Sequence, residues 1–238
     1  ERIDCELIVQ DESISIVHLS YIYKAKQNCL PHYTNEDIAV LSLDKMTLLC
    51  PKDTIRSNAS INYILVEDAK IAFYVISQLF QENSYPPGIH PSAEIEPSAS
   101  IGKGVHIGAN VVVESDCVIG DGSIIHANTM IYKRTIIEEN VLIEANSSIG
   151  ASGVFWTWDK KGQMWQLPFR GNVRIEANCY LGTDISVVRG CFDFDTTIIG
   201  KGTKIAHGSK IGHDCHLKDS NHLANNVSLG GKVVLENR

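Results

Sequence analysis

Four of the nine histidines of this chain lie close together near its C-terminal end: His207, His213, His216 and His222. An imidazole moves protons at neutral pH and can bind a metal ion, so this cluster is the first place to look for chemistry. His213 is followed directly by Asp214, a carboxylate that could orient the ring. A general base also needs a nearby donor that stabilises the charge developing on the substrate. Which donor lies near His213 depends on the secondary-structure elements that carry the histidines.

A period of six residues runs through the back half of the chain. An aliphatic residue returns at every sixth position, with one break and with Asp193 as the exception in frame: Ile89, Ile95, Ile101, Ile107, Val113, Ile119, Ile125, Ile131, Ile137, Ile143, Ile149, then Ile175, Leu181, Val187, Ile199, Ile205, Ile211, Leu217, Leu223, Leu229 and Leu235. Neither an α-helix nor a simple strand repeats with this period. A coil with three faces of about six residues each does repeat in this way, with one aliphatic side chain per face pointing inward. The period therefore predicts a parallel β-helix of hexapeptide repeats.

This geometry indicates which residues lie beside His213. A coil of about eighteen residues places residue i next to residue i+18. His213 follows the inward Ile211 by two positions, so we expect its side chain to point outward near the edge of a face. The same spacing places Asp195 one coil before His213 and Gly231 one coil after it. A carboxylate (Asp195 or Asp214), an imidazole and an unobstructed backbone amide would then line up, which is what acyl transfer to a hydroxyl or an amine requires.

The break in the period, residues 151–172, contains all three tryptophans: Trp156, Trp158 and Trp165. A polar surface loop has no need of such side chains, so this loop is expected to fold back on something. Two interpretations stay open. The loop either covers exposed core or a subunit contact, or it forms a lid or wall, with Trp156, for an extended apolar ligand.

The N-terminal part of the chain, residues 1–85, lacks the six-residue period. Apolar runs predict three short strands, at Ile14–Val17, Ile38–Leu43 and Ile61–Val66. Residues 68–80 predict a helix with Asp68 as its N-cap and with an apolar face formed by Ile71, Tyr74, Val75 and Leu79. We therefore predict two domains, a small α/β domain over 1–85 and a β-helix over 89–238 with an inserted loop at 151–172.

Composition limits the possible partners and the location. The net charge of −7 argues against nucleic-acid binding, which needs a basic face. The sequence contains no apolar run long enough to span a membrane and begins without a signal peptide. Seven cysteines without a Cys-x-x-Cys pair indicate buried thiols in a reducing compartment. We therefore expect a cytoplasmic protein with no membrane span and no nucleic-acid partner.

The segment IGHDCHLKDSNHLANNVSLGG, residues 211–231, resembles the active coil of the hexapeptide acyltransferases of lipid A synthesis. Its His-Asp pair and Leu-Ala-Asn-Asn stretch are similar to those of UDP-N-acetylglucosamine O-acyltransferases. More of the chain resembles the UDP-3-O-acylglucosamine N-acyltransferases. The similar features there are the small N-terminal domain, its closing helix IAFYVISQLF, the entry IHPSAEIEPSASIGKGV and the broken frame at residues 150–172.

The resemblance implies a fold, a reaction and an assembly. The fold would be mainly β, a left-handed parallel β-helix with a small N-terminal α/β domain. An acyl group would pass from a thioester, acyl-ACP or acyl-CoA, to the amine of a nucleotide-linked aminosugar. His213 would be the general base and the Gly231 amide would hold the oxyanion. Tyr21 and Tyr23 would lie near the uracil, and a homotrimer would place the active site between neighbouring subunits. No bound cofactor and no metal are expected.

The chain also departs from the N-acyltransferase pattern. Asp214 replaces an asparagine that follows the histidine in that family, and Val188-Arg189-Gly190 replaces an Asp-Arg-Gly segment. His222 resembles instead the second histidine of sugar acetyltransferases that use acetyl-CoA. An acetyl-CoA-dependent sugar acetyltransferase therefore stays open. So do a zinc hydratase of the γ-carbonic-anhydrase type, which binds zinc through histidines, and a non-catalytic β-helix. His207 and His216 are interpreted as ordinary solvated side chains.

Overall fold

The structure is a computed structural model that describes residues 6–8, 18–21, 29–32, 47–53, 61–80 and 85–237, with side chains from residue 47 onward except that of Phe80. The chain divides into two compact units, Glu1–Ser84 and Tyr85–Arg238. Among the described residues, no helix is long and apolar enough to cross a membrane.

The described part of the first unit contains a five-stranded sheet and one helix. In chain order its strands are Glu6–Ile8, His18–Tyr21, Cys29–His32, Thr47–Pro51 and Asn62–Val66, and the helix Ala69–Ser77 is followed by a 3₁₀ turn at Gln78–Phe80. The first strand pairs antiparallel with Asn62–Val66, and the remaining pairs are parallel. The strand predicted at Ile61–Val66 is therefore confirmed. The strands predicted at Ile14–Val17 and Ile38–Leu43 lie outside the described residues.

The helix begins as predicted but buries a different face. Asp68 is its N-cap, since the carboxylate accepts a hydrogen bond of 2.9 Å from the Ile71 backbone N–H. The apolar face identified in the sequence does not pack on the sheet, because Ile71, Tyr74 and Leu79 are exposed. The buried side chains are instead two alanines, Ala69 and Ala72, which pack with Leu49 and Val66 of the sheet, together with the partly buried Phe73 and Ile76. Small alanine side chains let the helix approach the sheet closely, so the bulkier stripe stays outside.

The second unit is a parallel β-helix with three seven-stranded faces. The first face contains Gly88–Ile89, His106–Ile107, Ile124–Ile125, Leu142–Ile143, Tyr180–Leu181, Lys204–Ile205 and His222–Leu223. The second contains Glu94–Ile95, Val112–Val113, Met130–Ile131, Ser148–Ala151, Ser186–Val188, Lys210–Ile211 and Ser228–Leu229. The third contains Ser100–Ile101, Val118–Ile119, Ile136–Ile137, Asn172–Ile175, Thr196–Ile199, His216–Leu217 and Val234–Leu235. The predicted left-handed β-helix, with one aliphatic core residue per face, is confirmed.

The corners between the faces depend on residues that tolerate a left-handed backbone. Asn110, Asn128 and Asn146 each have φ near +60°. Asparagine and aspartate are among the few non-glycine residues that adopt this conformation readily. The Asn110 amide donates to the Asn128 side chain at 3.2 Å, and Asn128 donates to Asn146 at 3.2 Å, so the corner side chains form a ladder. The same conformation recurs at Asp214, with φ of 57°.

A second repeat position holds a small polar side chain inside the coil. The Ser123 hydroxyl donates to the Glu138 carbonyl at 2.8 Å, and the thiols of Cys117 and Cys215 make the equivalent contacts at 3.1 and 3.0 Å. These cysteines therefore occupy positions where other coils use serine or threonine. The five cysteines whose side chains are described are buried and form no disulfide, in agreement with the prediction of buried thiols: Cys50, Cys117, Cys179, Cys191 and Cys215.

Two coils are longer than the others. Ile137 pairs with Ile175, because the loop at 151–172 is inserted between them. Val187 pairs with Ile211 rather than with residue 205, because residues 189–195 form an extra segment after the strand Ser186–Val188. We call residues 189–195 the extension. The frame position of Asp193 is thus not a core position, and its carboxylate lies on the surface, 3.0 Å from the Arg170 guanidinium.

Candidate active site

His213 lies at a corner of the β-helix, between the strands Lys210–Ile211 and His216–Leu217. Ile211 fills the core, and the His213 side chain points outward as predicted, with 24% of its surface exposed. The next residue, Asp214, takes the left-handed corner conformation, and its N–H donates to the Thr197 hydroxyl at 2.9 Å. The corner therefore fixes the backbone from which both side chains extend.

Asp214 holds one nitrogen of the His213 ring. The Nδ1 atom lies 2.8 Å from Oδ2 of Asp214, and Oδ1 accepts a hydrogen bond of 3.0 Å from the Cys191 N–H. Burial acts to raise the pKa of the Asp214 carboxyl, but the hydrogen bonds from His213 and Cys191 outweigh it and hold that pKa below its usual range. Asp214 is thus ionised at neutral pH, and it favours the tautomer in which Nδ1 carries the ring proton.

The other ring nitrogen faces Gly231. A Cβ atom at this position would lie 2.3 Å from Nε2 of His213, so only glycine leaves room for the imidazole. Among the described residues, the Gly231 N–H has no hydrogen-bond acceptor. The structure thus brings together His213, Asp214 and Gly231 on adjacent coils. A lone pair on Nε2 and a free amide beside it suit proton removal and oxyanion binding.

Cys191, in the extension, completes the surroundings of His213. Its sulfur lies 3.2 Å from Nδ1, and only 6% of the residue is exposed. Burial, the hydrogen bond with Asp214 and the nearby charges of Asp214 and Asp195 raise the pKa of the Cys191 thiol to about 11. The thiol is therefore protonated at neutral pH. The side chains of Cys191, His213 and Asp214 place three potential metal ligands within 4.8 Å of one another.

Two phenylalanines from the inserted loop cover the outer side of the imidazole. The ring of Phe169 is buried and meets that of His213 edge to face, with 5.3 Å between centroids. Phe155 lies further out, at 6.5 Å. These contacts shield one side of the imidazole from water.

The loop and the extension are joined directly beside Cys191. The Arg170 N–H donates to the Cys191 carbonyl at 3.1 Å, and the Gly171 N–H donates to the Gly190 carbonyl at 3.0 Å. The backbones approach so closely that a Cβ at Gly171 of the loop would lie 2.5 Å from the Asp195 carbonyl oxygen and 2.6 Å from the Gly190 carbonyl carbon. The two insertions therefore form one structure that delivers Cys191 and Phe169 to His213.

Asp195 keeps the eighteen-residue register with His213, since Ile198 pairs with His216 and Ile199 with Leu217 on the strands that follow. Its carboxylate, however, turns toward the extension. The Asp195 carboxylate accepts a hydrogen bond of 3.1 Å from the Phe192 N–H and closes a turn within the extension. Within the described part of the chain it makes no hydrogen bond to His213, and the orienting carboxylate is Asp214.

The remaining predicted site residues are not brought to His213 within one chain. His222 is exposed on the first face of the β-helix, away from this corner. His207 and His216 are exposed as well. Trp156 lies in a hairpin formed by Trp156–Trp158 and Met164–Gln166, where all three tryptophans are largely exposed. Tyr21 ends a strand whose side chains are not described, and Tyr23 lies outside the described residues.

Sequence reasoning missed Cys191 and gave no site role to Phe155 or Phe169. The six-residue period carries no information about them, because all three lie in insertions that interrupt it. The aromatic content of the loop indicated that the loop folds back on another part of the protein. It did not indicate that His213 is the residue it contacts.

Two family models match part of the β-helix. The bacterial transferase hexapeptide matches residues 116–151, and the hexapeptide repeat of succinyl-transferase matches residues 92–115 and 98–133. Both matches lie on the N-terminal side of the Trp hairpin. A comparison with curated proteins finds no match.

Several solved structures are similar to this chain. LpxA from Acinetobacter baumannii is 30% identical over 61% of this chain and 54% of its own, with a TM-score of 0.53. LpxA, a UDP-N-acetylglucosamine acyltransferase from Bacteroides fragilis, is 26% identical over 62% of this chain and 55% of its own, with a TM-score of 0.53. A UDP-N-acetylglucosamine acyltransferase from Campylobacter jejuni is 26% identical over 62% and 54%, with a TM-score of 0.52. The chain spans about half the length of these proteins, and the resemblance to hexapeptide-repeat acyltransferases is confirmed.

Proposed function

From a chain that resembles the hexapeptide-repeat acyltransferases, we infer an enzyme that transfers an acyl group from a thioester to a nucleotide-linked sugar, with the sugar amine as acceptor. The observation that carries this proposal is the corner where Asp214 holds Nδ1 of His213 at 2.8 Å while Nε2 faces Gly231. The similarity to UDP-N-acetylglucosamine acyltransferases supports the choice of a nucleotide sugar.

The mechanism follows from the two ring nitrogens. Nδ1–H donates to Asp214, so Nε2 accepts a proton from the acceptor amine as that amine attacks the thioester carbonyl carbon. The carbonyl oxygen becomes an oxyanion and accepts a hydrogen bond from the Gly231 N–H. Collapse of this intermediate forms the amide and breaks the carbon–sulfur bond. The leaving thiolate takes up the proton that His213 has removed.

The remaining assignments come from the sequence resemblance. The N-terminal unit binds the nucleotide, with Tyr21 and Tyr23 near the base, and Trp156 contributes to the wall of the donor site. The donor is acyl-ACP or acyl-CoA. An acetyl-CoA-dependent acetyltransferase is the second candidate, favoured by the position of His222 in the sequence nine residues after His213.

The test is a product analysis with two acceptors and two donors. The purified protein is incubated with UDP-glucosamine or UDP-N-acetylglucosamine, and with a long-chain acyl-ACP or acetyl-CoA, and the products are identified by mass spectrometry. The proposal predicts an acylated UDP-aminosugar that survives mild alkali, because an amide resists hydrolysis that cleaves an ester. A product that mild alkali cleaves would be an ester, and the acceptor group would then be a sugar hydroxyl and not the amine. Release of thiol with no sugar dependence would contradict transfer.

A further inference from the structure

The side chains around Nδ1 of His213 have the chemistry of a transition-metal site. We propose that Cys191, His213 and Asp214 bind a divalent ion such as Zn²⁺ and that this ion switches the base off. The three ligand atoms come from the same corner of one chain and all lie within 4.8 Å of one another. A thiolate, an imidazole and a carboxylate suit zinc and its neighbours, whereas Mg²⁺ and Ca²⁺ prefer oxygen ligands alone.

The distances need only a small adjustment. The Cys191 sulfur lies 3.2 Å from Nδ1, and Nδ1 lies 2.8 Å from Oδ2 of Asp214. Neighbouring ligands of a tetrahedral zinc ion are about 3.4–3.6 Å apart, so the atoms must separate by about half an ångström. Rotations of the side chains can supply this separation, because the three ligand atoms belong to three different side chains that rotate independently while the backbone stays fixed.

The backbone around the ligands is already held in place. The Cys191 carbonyl accepts a hydrogen bond of 3.1 Å from the Arg170 N–H, and the Asp214 N–H donates to Thr197 at 2.9 Å. Oδ1 of Asp214 stays bound to the Cys191 N–H when Oδ2 binds a metal. Such outer contacts orient ligands and raise metal affinity. The ion enters from the exposed side of His213, and water fills its fourth position.

Binding would change which ring nitrogen carries the proton. The ion displaces the Cys191 thiol proton to solvent and takes the lone pair of Nδ1. The proton of the neutral imidazole then resides on Nε2, which can no longer accept a proton from a substrate. This inhibitory consequence rests on the function proposed above, whereas metal binding itself does not.

Binding is tested on the full chain with Co²⁺ and Zn²⁺. The wild-type protein is expected to bind one Co²⁺ per chain with a thiolate-to-cobalt charge-transfer absorption that Zn²⁺ abolishes. Cys191→Ala should remove the absorption and weaken binding by more than about 100-fold, since loss of a ligand exceeds the effect of losing an outer partner. Cys215→Ser is the matched control, because this position holds serine or threonine in other coils, and it should bind normally.

Several results would overturn the site. These are no binding to the wild type at millimolar metal, or an absorption that persists in Cys191→Ala. If circular dichroism shows that Cys191→Ala does not fold, His213→Gln takes its place, because that side chain points outward and its loss should also abolish binding.

Inhibition is tested by comparing each variant with its own metal-free rate of acyl transfer. Zn²⁺ should lower the wild-type rate by more than about 10²-fold, the worth of a positioned base, and a chelator should restore it. Inhibition of Cys191→Ala should need far higher Zn²⁺. A wild-type enzyme that binds Zn²⁺ with no loss of rate would contradict the switch. Absence of metal-free transfer with every substrate would instead refute the proposed function and leave the binding result intact.

Discussion

Two histidines of the cluster, His207 and His213, differ in what holds the Nδ1 atom. In His213 this nitrogen faces the Asp214 carboxylate, so the lone pair of the neutral ring is on Nε2. In His207 it accepts a hydrogen bond of 2.9 Å from the Thr183 N–H, so the neutral ring carries its proton on Nε2. The first arrangement leaves a lone pair on Nε2 beside Gly231 and the second leaves none there, which is why we propose His213 and not His207 as the base.

Gly231 gives a prediction at the same scale. Gly231→Ala places a methyl group against Nε2 of His213, so the ring must turn away and the access to the amide is blocked. We expect the rate of acyl transfer to fall by about 10²–10³-fold, as when an oxyanion donor is lost. The measurement is the initial rate, with circular dichroism to verify folding.

The neighbouring glycine provides the control for this substitution. A Cβ at Gly230 would meet no atom within 4 Å, so Gly230→Ala should retain most of the activity. Equal rates for the two variants would show that the space beside Nε2 is not needed.

The sequence allowed part of this site to be predicted. His213 and Gly231 are one ordinary coil apart, so the period located both. Asp214 followed from adjacency. Cys191 was missed because the extension interrupts the six-residue frame before His213. Asp195 lies in the register that the spacing gives, but its carboxylate accepts from the Phe192 N–H and makes no hydrogen bond to His213 among the described residues.

At the scale of the element, the two-residue strands owe their stability to the inward side chain. Ile119 is buried in the core, whereas its neighbour Val118 is largely exposed on the same strand. Ile119→Ala should lower the free energy of unfolding by about 2–5 kcal/mol, because it removes buried surface and leaves a cavity. Val118→Ala should change it by less than about 1 kcal/mol. Chemical unfolding followed by circular dichroism checks both, and similar losses for the two would contradict the inward assignment.

Elements with a strict period were predictable, and those without one were not. The inward residues of the β-helix follow from spacing alone, because each coil repeats the same environment. The helix Ala69–Ser77 has two apolar stripes, and its period could not tell which one faces the sheet. For the hairpin of Trp156–Trp158 and Met164–Gln166, the sequence does not indicate which residues it packs against.

At the scale of the whole molecule, one chain leaves an apolar surface exposed around the site. It consists of side chains from the loop and the extension: Val154, Phe155, Trp156, Trp158, Met164, Trp165, Phe192 and Phe194. Large apolar side chains that stay exposed on two insertions in contact with each other are typical of interaction sites. Together with the sequence resemblance, it supports a homotrimer in which this surface meets a neighbouring subunit close to His213.

The assembly can be tested without any substrate. Sedimentation equilibrium should give three times the chain mass of 26.2 kDa. Replacement of Trp158 and Trp165 by serine should weaken the trimer, because it removes apolar surface from the contact. A fully active monomer would contradict an active site shared between subunits.

The central claim is that His213 removes the proton from the acceptor, and the most direct test is the rate of acyl transfer by His213→Ala. The side chain lies outside the aliphatic core, so circular dichroism should show an intact fold. His207→Ala and His216→Ala are matched controls of the same type on neighbouring positions of the repeat, and they should retain most of the activity. We expect the turnover rate of His213→Ala to be about 10²–10⁴-fold lower than that of the parent with the same substrates. A folded His213→Ala protein with near wild-type turnover would contradict this claim.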